Sequence, residues 1–187
     1  MGKTDFCTQS IEFDAMQLNM MTAVIYLEQP PVETVKRVAG KHAHKPFHIP
    51  PEEGGYTQEE LAETIDKLDA CDRLIFGGNF AASEWEDIQA RIRFLSIAKG
   101  VKVFYLDNLT ALVDPSNERA SVETIVKGIA LLAQELQVII VLVCHLATAE
   151  GVSHEEGGQV RLKQFKGSRA IGAFAHYAFG LERNTVH

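Results

Sequence analysis

Three consecutive residues near the start of the chain, Gly2, Lys3 and Thr4, are of the types that form a phosphate-binding site. They match the end of the pattern G-x-x-x-x-G-K-[ST], in which backbone N–H groups and the lysine bind phosphates and the hydroxyl binds Mg²⁺. The tripeptide alone is weak evidence, because it also suits an ordinary solvated N-terminus. Its position favours a phosphate site, since a patterned segment follows it and leads into the apolar run 22–27.

Three more polar residues stand where apolar runs of strand length end. Asp107 is placed as a Walker B acid near Mg²⁺, Glu28 as a general base that polarises the attacking water, and His145 as a ligand-facing residue. Because the carboxyl ends of parallel strands share one crevice, we expect these residues to lie together. Each also has a structural interpretation, as a turn residue, a surface acid and a buried polar residue respectively.

Four basic residues lie within nine positions of a chain whose formal net charge is −7. They are Arg161, Lys163, Lys166 and Arg169. The overall charge argues against a protein coated in basic groups, but a local cluster of this kind can follow nucleic-acid phosphates without reading sequence. Phe165, among them, could stack on a base or be buried. The alternative interpretation is a solvated, charged strand.

The composition predicts one globular domain, spanning residues 1–187, because 46 % of the residues are hydrophobic. No apolar stretch reaches the roughly 18 residues that span a bilayer, so we expect a cytoplasmic protein. The three cysteines are few, odd in number and far apart, which favours reduced thiols over a disulfide framework or a metal cluster.

The elements that must position these side chains are predicted by apolar runs and helix-start signals. Strands are expected at 22–27, 73–76, 101–106, 138–144 and 177–181. Capping boxes at Thr57–Glu60 and Ser83–Glu86 open two amphipathic helices, and a third begins near Glu118. Because the strand runs do not alternate, we predict an α/β fold whose mostly parallel sheet has helices on both faces.

Several of these segments together resemble the RecA-like helicase domain of T7-type bacteriophage primase-helicases. The mitochondrial Twinkle and bacterial DnaB helicases, of the same superfamily 4, resemble the chain more distantly. The matching segments are 27–28, 105–107, 143–146, 154–157, 165–170 and 181–184, in the same order along essentially the whole chain. The most specific strings are His-Glu-Glu-Gly at 154–157 and Leu-Glu-Arg-Asn at 181–184. The resemblance implies a RecA-like P-loop NTPase core.

The resemblance also implies an activity. A ring helicase, typically a hexamer, would couple hydrolysis of ATP or dTTP to movement along single-stranded DNA during DNA replication. Gly2, Lys3 and Thr4 would hold the triphosphate, while Thr4 and the Walker B acid Asp107 would hold Mg²⁺. Catalysis would then depend on charge neutralisation and water positioning rather than on a covalent intermediate.

Other roles follow from the same resemblance. Glu28 would be the catalytic base, His145 a sensor that links the γ-phosphate to the DNA loop, and Arg183 a residue near the nucleotide base. The basic cluster would lie among loops that line the DNA channel. One departure weakens that expectation, because 147–152 carries no lysine or arginine where related phage enzymes usually do.

The resemblance further implies that the first strand, the front of the phosphate loop and a C-terminal hairpin with an arginine finger lie outside 1–187. We expect that first strand to belong beside the Walker B strand, so that an unpaired edge remains there. Since an arginine finger contributes about 10³ to 10⁵ in rate, we expect the isolated chain to be an impaired fragment. Its expected location is a phage-infected or other bacterial cytoplasm.

Two alternatives remain open from the sequence. A RecA- or RadA-like recombinase ATPase shares the nucleotide-binding elements, although the two specific strings at 154–157 and 181–184 argue against it. A non-catalytic module could instead use the same sheet to bind single-stranded DNA or a partner without turnover.

Overall fold

The computed structural model describes residues 2–27, 30–77, 84–146, 160–165 and 168–182. The helices are α1 (Lys3–Glu12), continued by a π-helical turn (Phe13–Gln17), α2 (Pro31–Ala43), α3 (Pro51–Gly54), α4 (Gln58–Ala70), α5 (Trp85–Lys99), α6 (Glu118–Leu136) and α7 (Ser168–Phe174). The strands are β1 (Thr22–Tyr26), β2 (Leu74–Phe76), β3 (Val103–Asp107) and β4 (Ile139–Val143). Short 3₁₀ turns occupy Leu109–Leu112, Pro115–Asn117 and Leu162–Gln164.

The four strands form one parallel sheet in the order β2-β1-β3-β4. Tyr26, at the end of β1, lies opposite Asp107, at the end of β3. Asp107 in turn lies opposite Val143, at the end of β4. Three strands therefore end in line at one edge of the sheet, and the predicted parallel arrangement is confirmed.

Helices cover both faces of the sheet, as predicted. Neighbouring residues of a strand point to opposite faces, so Phe104 and Tyr105 on β3 enter different cores. The core that contains Phe104 is packed by α5, α6 and α7, and the core that contains Tyr105 is packed by α1, α2 and α4. None of the helices in the described part of the chain is long and apolar enough to cross a bilayer.

Two of the three predicted helix starts are confirmed. Thr57 caps α4 in a capping box: its hydroxyl accepts from the Glu60 N–H at 3.2 Å, and its own N–H donates to the Glu60 carboxylate at 2.9 Å. Helix α6 begins at Glu118. The prediction for α5 is wrong by one residue, because the extended Glu84 is its N-cap, while Ser83 lies outside the described residues.

The predicted strand at 177–181 is also wrong. Residues 175–182 follow α7 without joining the described sheet, and the rings of Tyr177 and Phe179 are exposed and stacked on each other. The segment is held by Glu182, whose carboxylate accepts from the Val160 N–H at 2.6 Å. An apolar run forms a strand only where the backbone of a neighbouring strand pairs with it. Here the contact is made by the Glu182 side chain instead.

The expected open edge beside the Walker B strand is not found. Both edges of β3 are paired, one with β1 and the other with β4. Among the described strands, β2 and β4 are the outer ones, and Ile139 on β4 is 55 % exposed. The prediction that a further strand belongs beside β3 is therefore wrong, because the crossover through α6 returns the chain to that position as β4.

A close backbone approach at Gly40 leads to a stability prediction. A Cβ atom on Gly40, within α2, would lie 2.5 Å from the Lys45 carbonyl oxygen, since the chain turns back after His44 and the Lys45 N–H donates to the Gly40 carbonyl. Although alanine favours a helix over glycine, we expect Gly40→Ala to lower the free energy of unfolding by about 2 kcal/mol, measured by urea denaturation.

The matched control is Gly172→Ala in α7. A Cβ there would meet the Leu162 side chain at 3.4 Å, an ordinary contact, so we expect stability to be unchanged or slightly higher. Equal stability of the Gly40→Ala variant and the wild type would show that the turn at Lys45 moves aside without cost.

Candidate nucleotide-binding site

A cleft of about 120 Å³ opens at the carboxyl edge of the sheet, where β1, β3 and β4 end beside the start of α1. Its lining residues are Lys3, Thr4, Tyr26, Asp107, Asn108, Val143 and His145. Four of these are residues that the sequence predicts for one site, namely Lys3, Thr4, Asp107 and His145. The structure therefore brings together side chains that are up to 142 positions apart in the chain.

The amino end of α1 forms one wall of the cleft. Gly2 caps the helix with φ of 112°, a conformation that favours glycine, and its carbonyl accepts the Phe6 N–H at 2.9 Å. The N–H groups of a helix's first turn have no partner within the helix and carry partial positive charge. Lys3 and Thr4 thus present their side chains from a helix end suited to an anion.

The Lys3 side chain ties α1 to the end of β4. Its Nζ donates to the Cys144 carbonyl oxygen at 3.0 Å and lies 3.3 Å from His145 Nδ1. Both contacts are made at the cleft, so the ammonium group is already positioned among the lining residues. A ligand with phosphate oxygens would offer this ammonium stronger, charge-assisted hydrogen bonds.

His145 is held from its other side by Asn108. The amide nitrogen of Asn108 lies 3.0 Å from His145 Nε2, while its amide oxygen accepts the Thr110 N–H at 2.8 Å. Asn108 is buried, so its orientation is fixed by these two partners. Sequence reasoning missed Asn108, although its position directly after Asp107 is a signal that could have found it.

The two groups facing His145 compete for it. The ammonium of Lys3 and the amide nitrogen of Asn108 are both hydrogen-bond donors, whereas a neutral imidazole has one acceptor nitrogen. Only one of the two contacts can therefore be a hydrogen bond at a time. If Lys3 turned towards an anion, His145 could accept from Asn108 and present Nδ1–H as a donor.

Burial and the Asp107 carboxylate raise the pKa values of two cysteines near the cleft. Burial, with a smaller contribution from the Asp107 carboxylate and an opposing one from Lys3, raises the pKa of the Cys7 thiol to about 11. Burial likewise raises the pKa of Cys144 to about 11, with Lys3 opposing and Asp107 adding to the rise. Both thiols are thus protonated at neutral pH, and a protonated thiol is a poor nucleophile.

The oxygen atoms of Thr4 and Asp107 fit a small divalent cation. Both residues line the same cleft, and Mg²⁺ prefers hydroxyl, carboxylate and phosphate oxygens as ligands. Mg²⁺ is typically held by one or two protein side chains together with substrate phosphates and water. The donor set therefore suits Mg²⁺ that enters with a phosphate ligand.

Three predicted site residues cannot be placed. Glu28, Lys166 and Arg183 lie outside the described residues. For Glu28 the structure describes the residue before it: the Leu27 N–H donates to the Asp107 carbonyl oxygen at 2.8 Å. The strand end that leads to Glu28 thus lies beside Asp107.

The segment of the basic cluster is linked to the residue after His145 by one backbone bridge. Leu146, the next residue, forms an antiparallel bridge with Phe165. Arg161 and Lys163 are exposed in the short segment before Phe165, and Arg169 is exposed on α7. Phe165 is half-buried and packs against the core, which favours burial over base stacking for this ring.

Comparison with solved structures identifies similar folds. The chain superposes with a TM-score of 0.60 on the structure of a DnaB-like replicative helicase and its interactions with primase, at 16 % identity over 79 % of this chain and 36 % of that one. The ATPase domain of G40P matches with the same score, identity and coverage of this chain, and over 54 % of its own. At these identities the likeness establishes the fold alone.

Comparison of sequences extends over nearly the whole chain. The DNA helicase/primase of Enterobacteria phage T3 is 25 % identical over an alignment of 190 positions, which covers 98 % of this chain and 34 % of the phage protein. The chain thus spans about a third of that relative's length. The sequence model of the DnaB-like helicase C-terminal domain matches residues 1–185, a range that includes every residue of the cleft.

Proposed function

Because this chain belongs to the DnaB-like helicase C-terminal domain family, we propose that it is the NTP-hydrolysing domain of a replicative DNA helicase that acts on single-stranded DNA. The family match confirms the resemblance expected from the sequence and favours a helicase over a recombinase. The observation that carries the proposal is the single cleft lined by Lys3, Thr4, Asp107 and His145.

In this proposal the cleft binds the triphosphate of ATP or dTTP. The Lys3 ammonium and the first-turn N–H groups of α1 contact phosphate oxygens, while Thr4 and Asp107 hold Mg²⁺. Bound Mg²⁺ supplies neutralisation of the charge that develops on the phosphates. The protein side chains then need only to position and stabilise charge, which is what phosphoryl transfer requires of them.

We assign the general base to Glu28. Support comes from its place in the chain, directly after Leu27, whose N–H is bonded to the Asp107 carbonyl. A carboxylate at this position accepts a proton from the attacking water. Arg183 is assigned to the nucleotide base on the strength of the Leu-Glu-Arg-Asn string alone.

His145 is proposed to sense the state of the nucleotide. Its contact with Lys3 would be lost when the ammonium turns to a phosphate, and its Nδ1–H would then face the cleft. The next residue is bridged to Phe165, which follows the exposed cations Arg161 and Lys163. A shift of His145 would therefore reach the proposed DNA-binding segment through one residue and one backbone pair.

Assembly into a ring, typically a hexamer, with nucleotide bound between subunits belongs to the same proposal. The DnaB-like helicase of known structure is described with primase, and a primase partner is proposed here by that analogy. The host or bacterial cytoplasm is the expected site of action. These properties concern a whole helicase protein, and the phage relative is about three times as long as this chain.

The central test is nucleotide binding by the purified chain. We expect a fluorescent ATP analogue to bind in the presence of Mg²⁺ and to bind more weakly after EDTA is added, because Thr4 and Asp107 would lose the cation that links them to the phosphates. Turnover is measured with and without oligo-dT. Absence of binding at millimolar Mg²⁺-ATP would contradict the proposed function.

The exposed cations give a second, smaller prediction. For the double variant Arg161→Ala/Lys163→Ala, we measure the slope of the logarithm of the oligo-dT association constant against the logarithm of the salt concentration. We expect this slope to become less steep by about 1.4, since each lost phosphate contact removes about 0.7 for single strands. Fluorescence anisotropy between 50 and 200 mM salt measures the slope.

A double variant with the same charge change serves as its control. Lys99→Ala/Lys102→Ala removes two exposed lysines near the opposite edge of the sheet, at the end of α5 and just before β3. We expect its slope to match the wild type. Equal slopes for the two double variants would show that net charge, rather than the segment after His145, governs DNA binding.

A further inference from the structure

Tyr26 lines the cleft, and its buried hydroxyl group has no hydrogen bond to any described residue. Tyr26 is the last residue of β1, is 4 % exposed and lines the cleft, yet its hydroxyl oxygen has no hydrogen-bond partner among the described residues. A buried hydroxyl without a partner is unfavourable, so such groups are few in native proteins. This hydroxyl therefore needs an explanation that the fold itself does not provide.

A neighbouring buried tyrosine, Tyr105, has a hydrogen-bond partner within the fold. Tyr105 on the adjacent strand β3 is buried to the same extent, and its hydroxyl donates to the Asp14 carboxylate at 2.7 Å. Both side chains belong to the core packed by α1, α2 and α4. Of the two tyrosines on this face, the one with a partner lies away from the cleft and the one without lies in it.

The surroundings of Tyr26 indicate the chemistry of the missing partner. Tyr26 lies opposite Asp107 in the sheet, and the cleft also presents Lys3 and Thr4. Burial, together with the Asp107 carboxylate, raises the pKa of the Tyr26 phenol well above its usual range. The phenol thus keeps its proton at neutral pH and can donate to an oxygen acceptor that enters beside Lys3.

We propose that Tyr26 is a ligand-binding residue, whose hydroxyl donates a hydrogen bond to an oxygen of the bound Mg²⁺-nucleotide, either a phosphate oxygen or a Mg²⁺-bound water. The inference rests on the proposed function, since it deepens the description of the same site. A phenylalanine at this position would fill the same space and lose only the donor. The Tyr26 hydroxyl would then lower the stability of the free protein slightly and raise its affinity for the Mg²⁺-nucleotide.

The test compares Tyr26→Phe with Tyr105→Phe in two measurements. Urea denaturation without ligand gives stability, and titration with a fluorescent ATP analogue gives affinity. We expect Tyr26→Phe to be at least as stable as the wild type and to bind Mg²⁺-ATP about tenfold more weakly, which corresponds to about 1.4 kcal/mol. We expect the reverse for Tyr105→Phe, with lower stability and unchanged affinity, because it loses the bond to Asp14.

The titration is repeated with EDTA to identify the acceptor. A Tyr26→Phe defect that persists without Mg²⁺ assigns the bond to a phosphate oxygen, and one that disappears assigns it to a metal-bound water. Unchanged affinity of Tyr26→Phe, in a protein whose wild type binds, would overturn the inference alone. A stability loss equal to that of Tyr105→Phe would also overturn it, and failure of the wild type to bind would overturn it together with the proposed function.

Discussion

Replacing Lys3 by alanine is expected to weaken the binding of Mg²⁺-ATP about 100-fold, which corresponds to about 2.7 kcal/mol. The Lys3 ammonium brings a positive charge to the cleft, which it lines together with Asp107. Charge-assisted hydrogen bonds to phosphate contribute about 1.5 to 3 kcal/mol each, so the loss of this group should dominate the affinity. Isothermal titration calorimetry measures the effect.

The same substitution also removes the hydrogen bond from Lys3 to the Cys144 carbonyl, so stability must be measured beside affinity. Lys3→Arg keeps the charge and should recover part of the binding, although its planar guanidinium differs in shape from an ammonium. Lys99→Ala, an exposed lysine at the end of α5, is the matched control and should bind like the wild type. An affinity of Lys3→Ala within threefold of the wild type would contradict a phosphate-binding role.

Replacing Phe104 by alanine is expected to lower the free energy of unfolding by about 3 to 5 kcal/mol. Phe104 is fully buried in the core between the sheet and helices α5 to α7, on the strand that has a partner at both edges. Because β1 and β4 hold the backbone of β3 in place, the surrounding structure can collapse little into the cavity. Urea denaturation followed by circular dichroism measures the loss.

An exposed phenylalanine provides the control for this change. Phe94 on α5 is 55 % exposed, so Phe94→Ala removes the same atoms from a surface position and should change stability by less than about 1 kcal/mol. Since small domains are typically stable by about 5 to 15 kcal/mol, the first variant should lose a large share of its stability. Equal effects of the two substitutions would mean that the core around β3 is not tightly packed.

The parts of the site that end buried strands could be predicted from the sequence. Asp107 and His145 follow apolar runs without alternation, which is typical of parallel strands covered on both faces. Once the strands are parallel, their carboxyl ends meet at one edge of the sheet. Lys3, at the start of α1, lines the cleft at that edge. The amphipathic helix predicted after Ser83–Glu86 is α5, whose buried face includes Ile88 and Ile92.

The order of the strands and the fine structure of the cleft could not be predicted. Sheet order depends on long-range pairing, and nothing local in the sequence places β4 rather than another strand beside β3. In the sequence, Tyr26 cannot be distinguished from the other apolar residues of its strand, because a local pattern carries no information on whether its hydroxyl has a hydrogen-bond partner. The run at 177–181 failed in the same way, because apolar side chains do not determine whether a segment pairs with an outer strand of the sheet, and this one pairs with neither β2 nor β4 among the described residues.

The link between Leu146 and Phe165 has a thermodynamic consequence. This single antiparallel pair joins the residue after His145 to the segment that carries Arg161 and Lys163. If a bound nucleotide changes the affinity for DNA through this pair, bound DNA must change the affinity for nucleotide by the same factor. The coupling free energy is therefore one quantity with two independent readouts, and a mismatch between them would show that one measurement was not at equilibrium, as happens when the nucleotide is hydrolysed during the titration.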